Sequence, residues 1–251
     1  MALPKINVPH YDVTLPSGKR VSFRPFLVKE EKLLMIALES KDSKTMIEAA
    51  RQILENCVGA ISNIAIDKLP LFDVEFLLLQ LRARSIGEVV KLRYRCNQQV
   101  EKRDDANNTS KLVPCEYVSE YDVNLLEIKP SFGEGHNKYI QLTDTVGVTL
   151  KYPTFTSFQS LTKEEATPED AFAVLLDNIE SINDNESVVY AKDIDHQELT
   201  EFVDTLTHEQ VAKLDRFFLT MPKIQTTIQF KCPKCGAEEA MVVQGLESFF
   251  G

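Results

Sequence analysis

Cysteines and histidines are the residues of this chain best suited to chemistry, and the cysteines are spaced for it. Cys232 and Cys235 stand in a Cys-Pro-Lys-Cys-Gly run. The alternating Ile228 and Phe230 precede it, and an apolar stretch at 240–243 follows. Two thiols with two residues between them, and Gly236 free to make the tight turn, aim both sulfurs at one point. That is half of a zinc ribbon. Zinc takes four ligands in a tetrahedron, so half a site requires another half.

The other half lies at 91–127. With Cys96 set on Cys232, Tyr94 falls on Phe230, Arg95 on Lys231 and Leu92 on Ile228. With Cys115 set on Cys235, Val123 falls on Val243, Leu126 on Leu246 and Glu127 on Glu247. The first copy carries an insertion at 97–114 where the second has only Pro233 and Lys234. Polar and short of apolar residues, that insertion is expected to be an exposed, disordered loop. Cys96, Cys115, Cys232 and Cys235 are therefore the expected ligands of one structural zinc shared by two halves, with metal binding coupled to folding. The plainer alternative is a relic knuckle at Cys232 and Cys235 that holds no metal. Cys57 is left over; it sits on the apolar phase of a helical segment and reads as a small buried hydrophobe.

Around these cysteines the chain reads as a duplicated α+β protein. Strand-like residues from Tyr11 to Leu15 and from Val21 to Phe23 flank a Pro16-Ser17-Gly18 turn, which makes a hairpin. Helices are predicted over 29–39 and 43–61, the latter from apolar residues at intervals of three and four. Pro70 opens a third helix that stops at Gly87. The Gly- and Pro-containing segment 130–137 separates the copies. A second hairpin follows at 139–151, then a helix capped by Thr167, with Phe172, Leu175, Leu176, Ile179 and Ile182 as its buried stripe. Thr207 and Gln210 form a capping-box start for the last helix. The expected organisation is thus two homologous halves related by a pseudo-two-fold, 1–129 and 130–251. Each comprises a β-hairpin, helices and a strand–Cys turn–strand unit. Leu246 and Phe250 are spaced for one helical turn folding back on the ribbon.

Composition narrows the function. Hydrophobic residues make up 43% and charged residues 26% of the 251, the balance of a soluble globular protein. The formal net charge of −10 argues against nucleic acid, which needs clustered Lys and Arg. Lys91, Arg93 and Arg95 alternate along a strand and read as a solvated face. No apolar run reaches the roughly 18–20 residues that cross a bilayer, so no membrane partner is expected. Phosphate-binding loops, nucleophile elbows and HExxH pairs are missing. His196 amid Asp193, Asp195 and Glu198 is a conceivable acid–base centre, but a solvated helix start is the simpler reading. No small-molecule substrate is implied.

The stretch from Val21 to Leu34 (VSFRPFLVKEEKLL), the knuckle from Phe230 to Gly236, and the ending Leu246-Glu-Ser-Phe-Phe250 resemble the baseplate hub proteins of T-even-type bacteriophages over nearly the whole length. The resemblance implies a factor or minor component of contractile-tail baseplate hub assembly, working without catalysis. It also implies other hub proteins as partners, and a place in the host cytoplasm during assembly and in the virion tail baseplate. The competing class is a zinc-ribbon adaptor of a transcription or replication complex, which a basic face would favour.

Overall fold

The computed structural model describes residues 6–40, 42–104, 109–157, 168–184 and 186–244. The cap at Thr167 and the packing of Leu246 and Phe250 fall outside them.

The architecture is α+β, a mixture of helices and small antiparallel sheets. It divides into two compact units: Met1–Leu78 with Pro130–Lys223, and Leu79–Lys129 with Ile224–Gly251. The halves expected from the sequence are therefore not the units of packing. Each half contributes its hairpin to the first unit and its cysteine-bearing strands to the second, and the α-helices lie in the first apart from residues 79–85.

In the first unit, β1 (Tyr11–Thr14) and β2 (Arg20–Phe23) pair antiparallel around a turn in which Gly18 has φ +91°. The amide of Ser17 in that turn donates to the carboxylate of fully buried Asp73 at 3.0 Å. This bond ties the hairpin to the start of α4 (Leu71–Ser85), which Pro70 precedes. Between them lie α1 (Val28–Ser40), α2 (Ser43–Leu54) and the short α3 (Ala60–Ser62). The helix predicted over 43–61 is interrupted: residues Glu55–Gly59 form a π turn that buries Cys57, Val58 and Gly59. Its Cys57 carbonyl accepts from the Arg24 amide at 3.0 Å. A single π turn shifts the side-chain phase without breaking the helical course, so apolar spacing does not reveal it.

Arg24 also pairs with Glu30, whose side chain is only 1% exposed, at 3.0 Å. Glu30 reaches back to the Leu27 amide at 2.9 Å, the reciprocal half of a capping box at the start of α1. Burial alone would raise the Glu30 carboxyl; Arg24, the Leu27 amide and Lys29 outweigh it and hold the group below its usual range.

Further along the first unit, after the two-residue β7 (Pro130–Ser131), β8 (Tyr139–Gln141), β9 (Gly147–Leu150), β10 (Ile179–Asn183) and β11 (Val188–Tyr190) form one antiparallel sheet in the order β11-β10-β9-β8. Helices α5 (Pro168–Asn178), α6 (His196–Asp204) and α7 (His208–Thr220) accompany it. Its core includes Val148, Leu150, Ile179, Leu214 and Phe217. Two sequence expectations change here. Ile179 and Ile182 belong to β10, where Ile179 pairs with Leu150 and Ile182 with Val148. Phe172, expected in a buried stripe, is 47% exposed. The buried Asn178 side chain donates to the Val174 carbonyl at 2.7 Å where helix gives way to strand. The capping box at Thr207 and Gln210 forms as the sequence suggests.

Candidate metal centre

After the end of α4, the described part of the second unit is mainly strands. β3 (Val89–Arg95) pairs with β6 (Val118–Asn124), and β12 (Lys223–Lys231) pairs with β13 (Glu238–Gln244), both antiparallel. Along β3, Lys91, Arg93 and Arg95 are exposed, and Arg93 pairs with Glu120 at 3.0 Å. That is the solvated face expected of an alternating basic run.

Each strand pair delivers two cysteines. Cys96 directly follows β3 and Cys232 follows β12, while Cys115 and Cys235 lie on the return path. Two backbone bonds recur in the two turns. The Cys96 amide donates to the Tyr117 carbonyl at 2.9 Å, and the Cys232 amide to the Ala237 carbonyl at 2.9 Å. The Glu116 amide donates to the Cys96 carbonyl at 3.1 Å, and the Gly236 amide to the Cys232 carbonyl at 2.8 Å. The residue after the second cysteine is left-handed in both: Glu116 at φ +53° and Gly236 at φ +73°. Glycine takes that conformation freely and glutamate does not.

The strand registers match as well. With Cys96 set on Cys232 and Cys115 on Cys235, all seven β3–β6 pairs fall on β12–β13 pairs, from Arg95↔Val118 on Lys231↔Glu238 to Val89↔Asn124 on Gln225↔Gln244.

The insertion at 97–114 is not an irregular loop. β4 (Gln99–Asp104) and β5 (Thr109–Pro114) form an antiparallel hairpin closed by the Cys115 amide on the Gln98 carbonyl at 2.8 Å. Val100 opposite Val113 makes one half-buried cross-strand pair, while neighbouring Leu112 is 69% exposed. A two-residue period survives in a polar segment, and the ladder satisfies its backbone.

All four sulfurs come together. Their Sγ atoms lie within 4.8 Å of one another. Cys96 is 3.6 Å from Cys235, and Cys115 is 3.7 Å from Cys232. A disulfide needs about 2.05 Å. Four thiolates at about 2.3 Å from a tetrahedral zinc stand about 3.8 Å apart. The 3.6 and 3.7 Å separations match that distance, and the cluster, within 4.8 Å throughout, could hold a metal ion. Cys96, Cys115 and Cys232 are buried and Cys235 half-buried, with Tyr94 and Val100 packed against them.

Backbone amides also serve the sulfurs, those of Gln98 at Cys96, Tyr117 at Cys115, Cys235 and Lys234 at Cys232, and Ala237 at Cys235. At Cys232 burial pushes the thiol up, but these amides and the sulfurs of Cys235 and Cys115 outweigh it and bring it to about 7. At Cys96 the Gln98 amide favours the thiolate; burial and the Cys232 and Cys115 sulfurs prevail and raise the group. Cys115 and Cys235 are raised by a similar balance. Lys234 Nζ donates to the Cys115 carbonyl at 2.8 Å, linking the two turns.

Histidine chemistry lies elsewhere. His196 is the exposed first residue of α6. His136, which sequence reasoning passed over, shares hydrogen bonds with the Thr220 and Tyr152 hydroxyls, both at 3.0 Å, and stacks on Tyr152. Only its separation from these partners in sequence concealed it. Cys57 is fully buried, and burial pushes its thiol up to about 11.

An α+β protein with four converging thiols and no helix, among the described residues, long and apolar enough to cross a membrane is a broad class. Comparison with known proteins narrows it. Residues 8–251 match the model of the T4 bacteriophage base plate protein family, and the chain belongs to that family. It is 21% identical over 240 residues to the baseplate hub assembly protein gp26 of Enterobacteria phage T4, covering 96% of each chain. No solved structure matches.

Proposed function

We propose that this chain is a baseplate hub assembly protein that works through protein–protein contacts, without catalysis, in the host cytoplasm and at the tail baseplate. The observation that carries this reading is the end-to-end match to gp26, 96% of both chains. Similarity confined to a cysteine turn would speak only for a shared metal knuckle; similarity across both units speaks for a shared role. Its partners are the other hub proteins. The test is to disrupt the gene in the phage that encodes it and examine lysates by electron microscopy. Tails lacking complete baseplates, restored by the gene in trans, are expected; intact tails and a normal burst would refute the role.

We further propose that Cys96, Cys115, Cys232 and Cys235 bind one structural zinc. The 3.6 and 3.7 Å sulfur separations support it. Zinc suits the all-thiolate donor set, and three cationic neighbours of the site in sequence, Arg95, Lys231 and Lys234, offset part of the charge of four thiolates. The matching registers and turns support the internal duplication, because convergence has no reason to reproduce seven strand pairs and a left-handed residue together. Native mass spectrometry tests the metal: one zinc per chain, absent from both Cys96→Ser and Cys232→Ser, is expected. Zinc kept by Cys96→Ser would exclude the first turn as a ligand pair.

A further inference from the structure

We infer that the first cysteine turn is the same two-thiol chelating module as the second, interrupted between its ligands by a hairpin that metal binding does not require and that serves as a cover over the sulfurs. The inference rests on the metal reading above and adds to it the role of β4 and β5.

Two sets of observations carry it. Cys96 and Cys115 are far apart in sequence, yet they occupy the positions of Cys232 and Cys235 in most of the features that define a knuckle; the Cys235 amide serves the Cys232 sulfur, while the Cys115 amide turns to the Gln98 carbonyl instead. The amide–carbonyl bonds on either side of the turn are the same, and so is the left-handed residue after the second ligand. The amides that serve the sulfurs correspond, Gln98 with Lys234 and Tyr117 with Ala237. The two short sulfur contacts are also exchanged by the same correspondence: Cys96 with Cys235 becomes Cys232 with Cys115, at 3.6 and 3.7 Å. In the second copy, Pro233 and Lys234 alone span the ligands. A two-residue bridge is therefore sufficient for this geometry, and the inserted hairpin closes its own base through the Cys115 amide and the Gln98 carbonyl.

The second set concerns what the hairpin does. Val100, on its inner face opposite Val113, packs against the thiol cluster. Cys96 and Cys115 are each 1% exposed. Metal exchange with a chelator requires the incoming ligand to reach a sulfur–metal bond, and an apolar side chain over the sulfurs obstructs that approach while contributing no ligand. The hairpin thus governs how fast metal leaves and has little part in whether it binds.

The experiment compares the zinc-loaded full chain with two variants, one with 97–114 replaced by Pro-Lys and the other Val100→Ser. Zinc content is measured by native mass spectrometry, and zinc release to excess EDTA is followed with a colorimetric indicator. One zinc per chain is expected in all three. Release should be at least about tenfold faster in the shortened chain and severalfold faster in Val100→Ser. Loss of zinc from the shortened chain, with wild type retaining it, would overturn the equivalence of the two turns. Val100→Ser tests the cover with the loop length unchanged, and an unchanged release rate in that variant would overturn the cover. A wild-type chain without zinc would instead refute the underlying metal reading.

Discussion

Tyr94 and Phe230 stack with nearly parallel rings, their centroids 4.3 Å apart and their planes 11° from parallel. They occupy equivalent places, each two residues before the first cysteine of its turn. The proposed duplication, with its two-fold axis, would bring equivalent residues into contact in this way, and the thiol cluster on which Tyr94 packs lies beside the stack. Tyr121 completes the cluster, edge-on to Phe230 at 4.5 Å, with its hydroxyl accepting from the Lys231 amide at 3.2 Å.

A double-mutant cycle measures that relationship. Tyr94→Leu and Phe230→Leu each keep an apolar side chain and remove the ring. Offset aromatic pairs couple by about 0.5–1.5 kcal/mol. We expect chemical denaturation to give a coupling of about 1 kcal/mol; strictly additive effects would show that the stack contributes only burial.

Glu116 makes the equivalence of the two turns testable at one residue. It adopts φ +53°, where its counterpart is glycine at φ +73°. A non-glycine residue there costs about 1–2 kcal/mol. Glu116→Gly should raise the melting temperature of the metal-loaded protein, by about 1 kcal/mol in stability once the extra entropy of an unfolded glycine is subtracted. Gly236→Ala should lower it by a similar amount, although a Cβ there meets nothing within 4 Å. Equal and opposite signs are the signature; destabilisation by both would mean that Glu116 makes a contact outweighing its strain.

The convergence of the four cysteines was more legible in the sequence than the packing around them. Cysteine spacing and the flanking apolar alternation depend on local geometry, so Cys96, Cys115, Cys232 and Cys235 could be singled out together and their strand partners aligned. What escaped depended on distant contacts. Ile179 and Ile182 continue the helical phase of Leu175 and Leu176, and only the pairing with Leu150 and Val148 makes them strand. The polar insertion concealed its two-residue period because a single inner pair, Val100 and Val113, sets its register. The compact units also do not coincide with the two halves read from the sequence. The hairpin of each half and most of the helices lie in one unit and the cysteine strands in the other, with α4 divided between Leu78 and Leu79, a division that only three-dimensional contacts reveal.

Two buried carboxylates of the first unit should respond to pH in opposite ways. Glu30 is held below its usual range against the opposing effect of burial. Its contribution is present above the unfolded carboxylate value of about 4.3 and is lost as pH falls through the lower folded value. Asp73 is raised, chiefly by burial, despite accepting from the Ser17 amide and hydroxyl. The folded state therefore favours its protonated form, and the benefit fades as pH rises through the folded value. Glu30→Gln should cost about 2–3 kcal/mol at pH 7 and progressively less toward pH 3. Asp73→Asn should compare better with wild type at pH 7 than at pH 3. Urea titrations at both pH values decide it, and parallel pH profiles for the two variants would contradict the assignment.

Thiol counting with a disulfide reagent separates the four clustered cysteines from the fifth. Cys57 is fully buried within the π turn, and burial pushes its thiol up to about 11. The thiolate is the reactive form, so Cys57 is protected both by access and by protonation at neutral pH. The zinc-loaded native protein should react slowly at all positions. After chelation, still in native buffer, the four cysteines of the cluster should become reactive, and Cys57 only when denaturant is added. Cys57→Ala should leave the native count unchanged and lower the denatured count by one. A fast-reacting Cys57 in the metal-loaded protein would mean that the π turn opens readily, and would locate there the weakest point of the helical layer.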